Sequence, residues 1–546
     1  MRDQIMTRQA VAREVAMNAT GLPLEIWLQV CQLLARELDF ADLFSCARLS
    51  HGIANLALPQ LYSIHELANL DVSVVLWRSL IASALGKTLY PYCTWIKVLK
   101  LSNLLSLLED MGQQKTGLRA AFFSPPLQSL KALKRDDIII EVADLITKRI
   151  ETAAQEADKV VQLAALEGPH FPSARLSTFV SRLSRLTSLA VRDGSVLNRD
   201  VGNAIRETCP AFKELICFYC QGTDADSELA GFLRALPPNT LEGFTVTSLN
   251  SIGEDTFQAL TGHSDSIKRL GLMSIEPAAW ELIDLLSTPN LESLVLEPSG
   301  IARNLERRIA EKVLLWLKQC ICLKELEVTS FPHTDAVLDE LLASPDIRLT
   351  SLVLKRWEPG TKGFYRNIGL QTELRHLAML SVEDDVDDDD IVQGEIHRWF
   401  STGLMQLHNL RRLVTNEPFT LNEFSGMIGS NLLLEELVFN GYGGSEEALS
   451  FLNLLKRLSH LKSVQIVSET AFSVATIQDF LSAIDDPEFA DHVGFQFYLA
   501  QQEHASRFSE RQEEELDREI RRRFGGRFFV SYQADPDELH ESDFSD

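Results

Sequence analysis

Apolar positions recur along this chain in one short phrase, apolar-x-x-apolar-x-apolar. It reads LTSLAV at 186, FKELIC at 212, LEGFTV at 241, IKRLGL at 267, LESLVL at 291, LKELEV at 323, LTSLVL at 349, LRHLAM at 374, LEELVF at 434 and LKSVQI at 461, with weaker copies IKVLKL at 96, VVQLAA at 160 and LRRLVT at 410. The thirteen starts leave gaps of 64, 26, 26, 29, 26, 24, 32, 26, 25, 36, 24 and 27 residues, and eight of these twelve fall between 24 and 27. Alternation within each phrase predicts a short strand with one buried face. Stretches such as AWELIDLLSTPN, DAVLDELLASPD and EALSFLNLLKRLSH follow the phrases with helical spacing. One strand plus one helix is therefore the unit, and a fixed period of this size marks a stacked array.

The first sixty residues follow a different rule. In LPLEIWLQVCQLL at 22–34, Leu24, Leu28 and Cys31 fall at i, i+4 and i+7, and Ile26, Val30, Leu33 and Leu34 make a second apolar row. Pro23 suits the first turn of a helix, where no N–H is needed. A second apolar cluster, DLFSCARLS, follows at 42–50. A helix of about a dozen residues is too short to cross a bilayer, so its apolar surface must be covered by protein. Elsewhere the period is interrupted. DDIIIEVADLITKRIETAAQEA predicts a long helix inside an insertion at 102–159, EDDVDDDD at 383–390 predicts a solvated loop, and SERQEEELDREIRRR at 509–523 predicts a charged helix before an acidic tail.

The repeating phrase resembles the leucine-rich repeat family over roughly residues 95 to 470, although the Asn or Cys expected at the ninth position is met only by Cys220. The N-terminal pair resembles the F-box: Leu22, Pro23, Glu25, Ile26, Leu34, Asp42, Leu43 and Leu49 match its opening Leu-Pro-x-Glu-Ile and its following Asp-Leu helix, and ALPQLY at 57–62 resembles the ending of fungal members. The family pattern is departed from at Ile53 and Cys46. Together the resemblances imply an α/β fold, an N-terminal helical F-box followed by a leucine-rich repeat solenoid with parallel strands on its concave face and helices on its convex face. The expected division is a leader at 1–20, the F-box at 21–65, a junction at 66–159, the solenoid at 160–474, a C-terminal cap at 475–530 and an acidic tail at 531–546. The resemblance further implies docking on a Skp-family adaptor, and through it on cullin and RING subunits of an SCF-type ubiquitin ligase. Leu22, Pro23, Glu25, Ile26, Val30, Leu34, Leu43 and Leu49 are its expected contacts.

In the repeat frame, fourth and sixth positions face the core, so third, fifth and seventh positions face outward. Phe218, Arg269, Met273, Glu325, Glu327, Lys355, His376, Arg412 and Glu436 are thereby expected to line a face that binds a protein substrate. Composition narrows the partner. With 52 Lys and Arg against 77 Asp and Glu, the net charge of -25 disfavours nucleic acid and anionic membranes and favours basic proteins. No apolar run approaches a membrane span and the first twenty residues lack a secretory apolar core, so a soluble protein of the cytoplasm or nucleus is expected.

Catalytic and cofactor motifs are missing from the sequence. Cys217 and Cys220, with Cys320 and Cys322, could be offered as two halves of a zinc site, but repeat register makes them small core residues several repeats apart. Gly86-Lys87-Thr88 ends like a phosphate-binding loop, yet Ile81 stands where that loop needs glycine. No cofactor, metal or catalytic residue is expected. Two other functions fit parts of the pattern: a Skp-bound scaffold without a ligase role, and a leucine-rich-repeat GTPase activator, which favours repeats longer than the 24 to 27 residues found here.

Overall fold

A computed structural model describes residues 22–533 except 37–38, 64–69, 114–115, 157–161, 170, 301–306, 358–361, 382–397, 442–444, 469–471, 485–491, 493 and 503–506. The leader, the acidic run at 383–390 and the tail beyond 533 lie outside the described residues. The fold is α/β and repetitive, and the chain divides into two compact units, Met1–Ser266 and Ile267–Asp546.

The first unit opens with three helices, α1 (Leu24–Arg36), α2 (Phe40–Ala47) and α3 (His51–Leu61). Asp39 and Ser50 start the second and third by accepting from the Asp42 and Ile53 N–H groups, at 3.1 and 3.2 Å. Cys31, Ala35, Leu43 and Ala57 form their core. An aromatic joint follows, in which Tyr62 stacks on Tyr92 at 4.5 Å and Trp95 meets Tyr92 edge-on at 5.7 Å. Arg78 donates to the carbonyls of Ala121, Phe122 and Ser124, each at 2.9 Å, and so ends the short helix Thr116–Phe122. The inserted helix Arg135–Glu156 buries Ile138, Ile139, Val142, Ile146 and Ile150. Five strands complete the unit: β1 (Val98–Lys100), β2 (Ala165–Gly168), β3 (Ser188–Asp193), β4 (Glu214–Tyr219) and β5 (Gly243–Val246), each parallel to the next.

The second unit holds ten strands in sequence order: β6 (Arg269–Ile275), β7 (Ser293–Pro298), β8 (Glu325–Thr329), β9 (Ser351–Trp357), β10 (His376–Ser381), β11 (Arg412–Phe419), β12 (Glu436–Gly441), β13 (Ser463–Ser468), β14 (Gln496–Gln502) and β15 (Arg527–Gln533). All pair parallel with their sequence neighbours. The frame is visible on β8, where Leu326 and Val328 are buried while Glu325 is exposed and Glu327 half-buried. Polar side chains three residues before a repeat stitch it to the one before. Gln371 donates to the Leu342 carbonyl and Asn431 to that of Leu404, at 2.8 and 3.0 Å.

Three boundaries differ from expectation. The strand at 96 pairs with β2 and so opens the sheet instead of belonging to a junction. The second repeat is framed by Leu163 and Leu166, both buried, three residues later than the phrase at 160. The region expected as a cap carries two further repeats, whose leading apolar residue is replaced by Gly494 and Gly525, at φ 82° and 72°. Gly525 ends the helix Glu510–Phe524 in the left-handed region, and a Cβ on Gly526 would run into the Phe495 carbonyl.

The ninth position also departs from the leucine-rich repeat pattern. Ser274, Ser330 and Arg356, each eighth in its repeat, have φ of 53°, 51° and 49°. The left-handed residue turns the next side chain inward, and Ile275, Phe331 and Trp357 are buried there. Phe331 meets Trp280 at 5.5 Å and Trp357 meets Phe364 at 5.0 Å. Bulky apolar side chains thus occupy the place where the leucine-rich repeat pattern has Asn or Cys.

Candidate protein-docking surfaces

The three-helix element buries one side of α1 and leaves the other apolar and open. Cys31 and Ala35 point into the core, whereas Leu22, Ile26, Val30 and Leu33 follow at steps of four, four and three along one row. Leu22, Ile26 and Leu33 are 43%, 41% and 54% exposed, and Val30 is half-buried. Pro23 and Glu25 are exposed at the start of the same helix, and Leu49 is exposed after α2.

Two expected contacts are placed otherwise. Leu43 is fully buried and holds the helices together, so it presents nothing to a partner; Leu34 is partly buried against the same core. The sequence reasoning missed Leu33 and Phe44 as contacts. Phe44 is 54% exposed, with the Arg48 guanidinium 6.0 Å from its ring centre. Spacing alone puts both Leu43 and Phe44 beside Phe40 and Ala47, and it is the packing of Leu43 with Phe40 and Ala47 that leaves Phe44 outward.

The second surface is the outward face of the sheet in the second unit. Register sets Glu325 beside Ser351, Ser351 beside His376, His376 beside Arg412 and Arg412 beside Glu436. Side chains pair along this row: Ser351 Oγ lies 3.1 Å from His376 Nδ1, and Arg412 Nε lies 3.0 Å from Glu436 Oε2. Further along the strands, Lys355, four residues beyond Ser351, reaches diagonally so that its Nζ donates to Glu327 Oε1 at 2.6 Å. Burial lowers the His376 pKa and nearby Arg412 lowers it further, against the pull of Glu436, Glu327 and Glu325. In register with Glu327 run Val353, Ala378, Val414 and Val438, adjacent on successive strands. Arg269 and Met273 lie on β6, two strands before Glu325. Phe218 lies on β4 of the first unit and is 40% exposed.

The cysteines are core residues of their repeats. Cys217, Cys220 and Cys320 are buried free thiols and Cys322 is half-buried. Burial pushes the Cys220 thiol up to about 12 and Cys320 up to about 11. Among the described residues, no group of three His, Cys, Asp or Glu side chains is placed to hold a metal ion. At Gly86, φ is 68°, and Gly86 and Lys87 donate to the Ser83 and Ala82 carbonyls at 2.9 and 2.8 Å. That geometry ends the helix Leu70–Ala84 and uses both N–H groups within the cap. Among the described residues, no helix is long and apolar enough to cross a membrane.

No family model matches the sequence, and no curated protein matches it. Among solved structures the chain is similar to the Rad7 and Elc1 complex in yeast, at 13% identity and a TM-score of 0.37, covering 67% of this chain and 92% of that one. It is also similar to a TLR13–ssRNA13 complex, at 12% identity and a TM-score of 0.31, covering 71% of this chain and 59% of that one. A protein from Bacteroides fragilis is similar at 13% identity and a TM-score of 0.24, covering 60% of this chain and 68% of that one.

Proposed function

We propose that this chain is a non-catalytic receptor that docks on a Skp-family adaptor through α1 and α2 and presents a bound protein for ubiquitin transfer. The observation that carries the reading is the row of Leu22, Ile26 and Leu33, joined by Phe44 and Leu49, which stays 41% to 54% exposed although the helices beneath have a closed core. Apolar side chains left open in this number on so small an element are an interface in waiting. Leu22, Ile26 and Leu49 are among the residues that carry the F-box resemblance. The sheet face, with Val353, Val414 and Val438 beside paired charges, is the proposed site of substrate capture, since it combines apolar area with polar groups.

A purified Skp-family adaptor mixed with the intact chain, and with a version lacking residues 21–65, tests the docking step. The intact chain should retain the adaptor and the shortened chain should not. Failure of the intact, folded chain to hold it sinks the reading. Ubiquitin transfer to a captured protein in the reconstituted ligase then separates a receptor from a scaffold that only assembles.

A further inference from the structure

We infer that the first unit binds a small amphipathic anion, an aliphatic carboxylate in chemical class, in a crevice of its inserted helical segment. The crevice lies between the helix Leu101–Gln113, the short helix Thr116–Phe122 and the start of the helix Arg135–Glu156. Its volume is about 750 Å³, within the range of about 300 to 1,000 Å³ found for small-molecule sites. Met111, Phe123 and Ile138 are buried beneath it as an apolar floor, and Leu133, 40% exposed, forms one wall. No residue of the two docking surfaces lines it.

Charges at the rim select the sign of the ligand. Arg135 answers both acids of the lining, Glu109 at 2.7 Å and Asp136 at 3.7 Å. Arg119 and Lys134 line the same space, are exposed and make no ion pair among the described residues. The Arg119 guanidinium stands 6.0 Å from the ring centre of Phe123, so free positive charge adjoins the apolar floor. A ligand with an anionic head and an aliphatic body satisfies both, and the flat guanidinium matches a carboxylate. The walls are fixed before a ligand arrives. Arg78 holds the carbonyls on either side of Phe123, those of Phe122 and Ser124, at 2.9 Å each, and the Arg135–Glu109 pair joins the other two helices. Gly112, inside the helix Leu101–Gln113, also borders the crevice. Its φ is not left-handed, and a Cβ there would meet nothing within 4 Å. Neither the backbone nor a close neighbour calls for glycine, which weakens a helix; what it leaves is room at the lip of the crevice.

Calorimetric titration of the full chain with decanoate, and with decylammonium as the cation of equal length, tests this. Decanoate should bind once per chain with a Kd of about 100 μM or tighter, and decylammonium at least about tenfold more weakly. Arg119→Glu with Lys134→Glu should weaken decanoate binding at least about tenfold. Gly112→Trp fills the crevice from a position free of clashes and should weaken it as much, with the melting temperature unchanged or raised. Absence of saturable decanoate binding up to about 1 mM would overturn the proposal. So would equal binding of decylammonium, and so would an affinity unmoved by Gly112→Trp, since the tail would then lie on another apolar surface such as α1. Binding to vesicles of anionic lipid without binding to free decanoate would overturn it too, because the anion would then belong to a membrane.

Discussion

The helical surface of the first unit and the sheet face of the second present protein side chains to a partner on opposite terms. On α1 and α2, Ile26, Leu33 and Phe44 have no polar obligations and remain open to water. On β8 to β12 the charged groups already answer one another, as Glu327 does Lys355 and Arg412 does Glu436. An apolar surface gains free energy from almost any dry contact, whereas the paired face must exchange existing hydrogen bonds for new ones. The first therefore suits a constant partner bound tightly, and the second a partner chosen by matching geometry.

The largest expected effect checks the frame on which the sheet face depends. Leu326→Ala opens a cavity behind β8 and should cost about 2 to 5 kcal/mol of stability in thermal or denaturant unfolding. A loss below about 1 kcal/mol would place Leu326 outside the core and exchange the two faces. Next comes the helical surface. Ile26 and Phe44 retain about half of their area for a partner, so Ile26→Ala with Phe44→Ala should weaken adaptor binding about ten- to a hundredfold. Calorimetric titration would measure it, and an unchanged melting temperature would show that the loss belongs to the interface.

A smaller effect has the opposite sign. Ser330→Gly removes the cost of a side chain at φ 51° and should raise stability by up to about 1 kcal/mol. The same change at Ser351, inside β9, should lower it by a similar amount. The smallest expected change in stability is on the outward face itself. Glu325→Arg with Glu327→Arg puts a like charge beside Lys355 and should cost no more than about 1 kcal/mol, because these groups are solvated. Its effect should appear in partner capture, read by pull-down with the intact chain. If the variant folds and every captured protein is retained, capture does not use this row.

The strand phrase was legible because an inward-facing pair at fourth and sixth positions leaves little choice of residue type. Leu326 and Val328 could be placed from spacing alone, and with them the outward position of Glu325 and Glu327. The two last repeats were not legible, since Gly494 and Gly525 supply a turn where the phrase requires an apolar side chain. At residue 160 the opposite happened: two valines imitated a repeat start that belongs to Leu163. In α2 the sequence left Leu43 and Phe44 adjacent and both apolar, and packing with Phe40 and Ala47 decided which one is buried. The left-handed turns at Ser274, Ser330 and Arg356 carry no residue preference at all, so the inward swing of Phe331 and Trp357 had to come from the backbone.

That swing has an optical consequence. Trp280 and Trp357, held in the core beside Phe331 and Phe364, together with Trp316 are almost fully removed from solvent in the second unit. Their indoles sit in dry surroundings and should emit at short wavelength, shifting to the red as soon as water reaches them. The second unit therefore carries its own fluorescent gauge of integrity, and Trp280→Phe or Trp357→Phe would show whether the stack opens first near β6 or near β9.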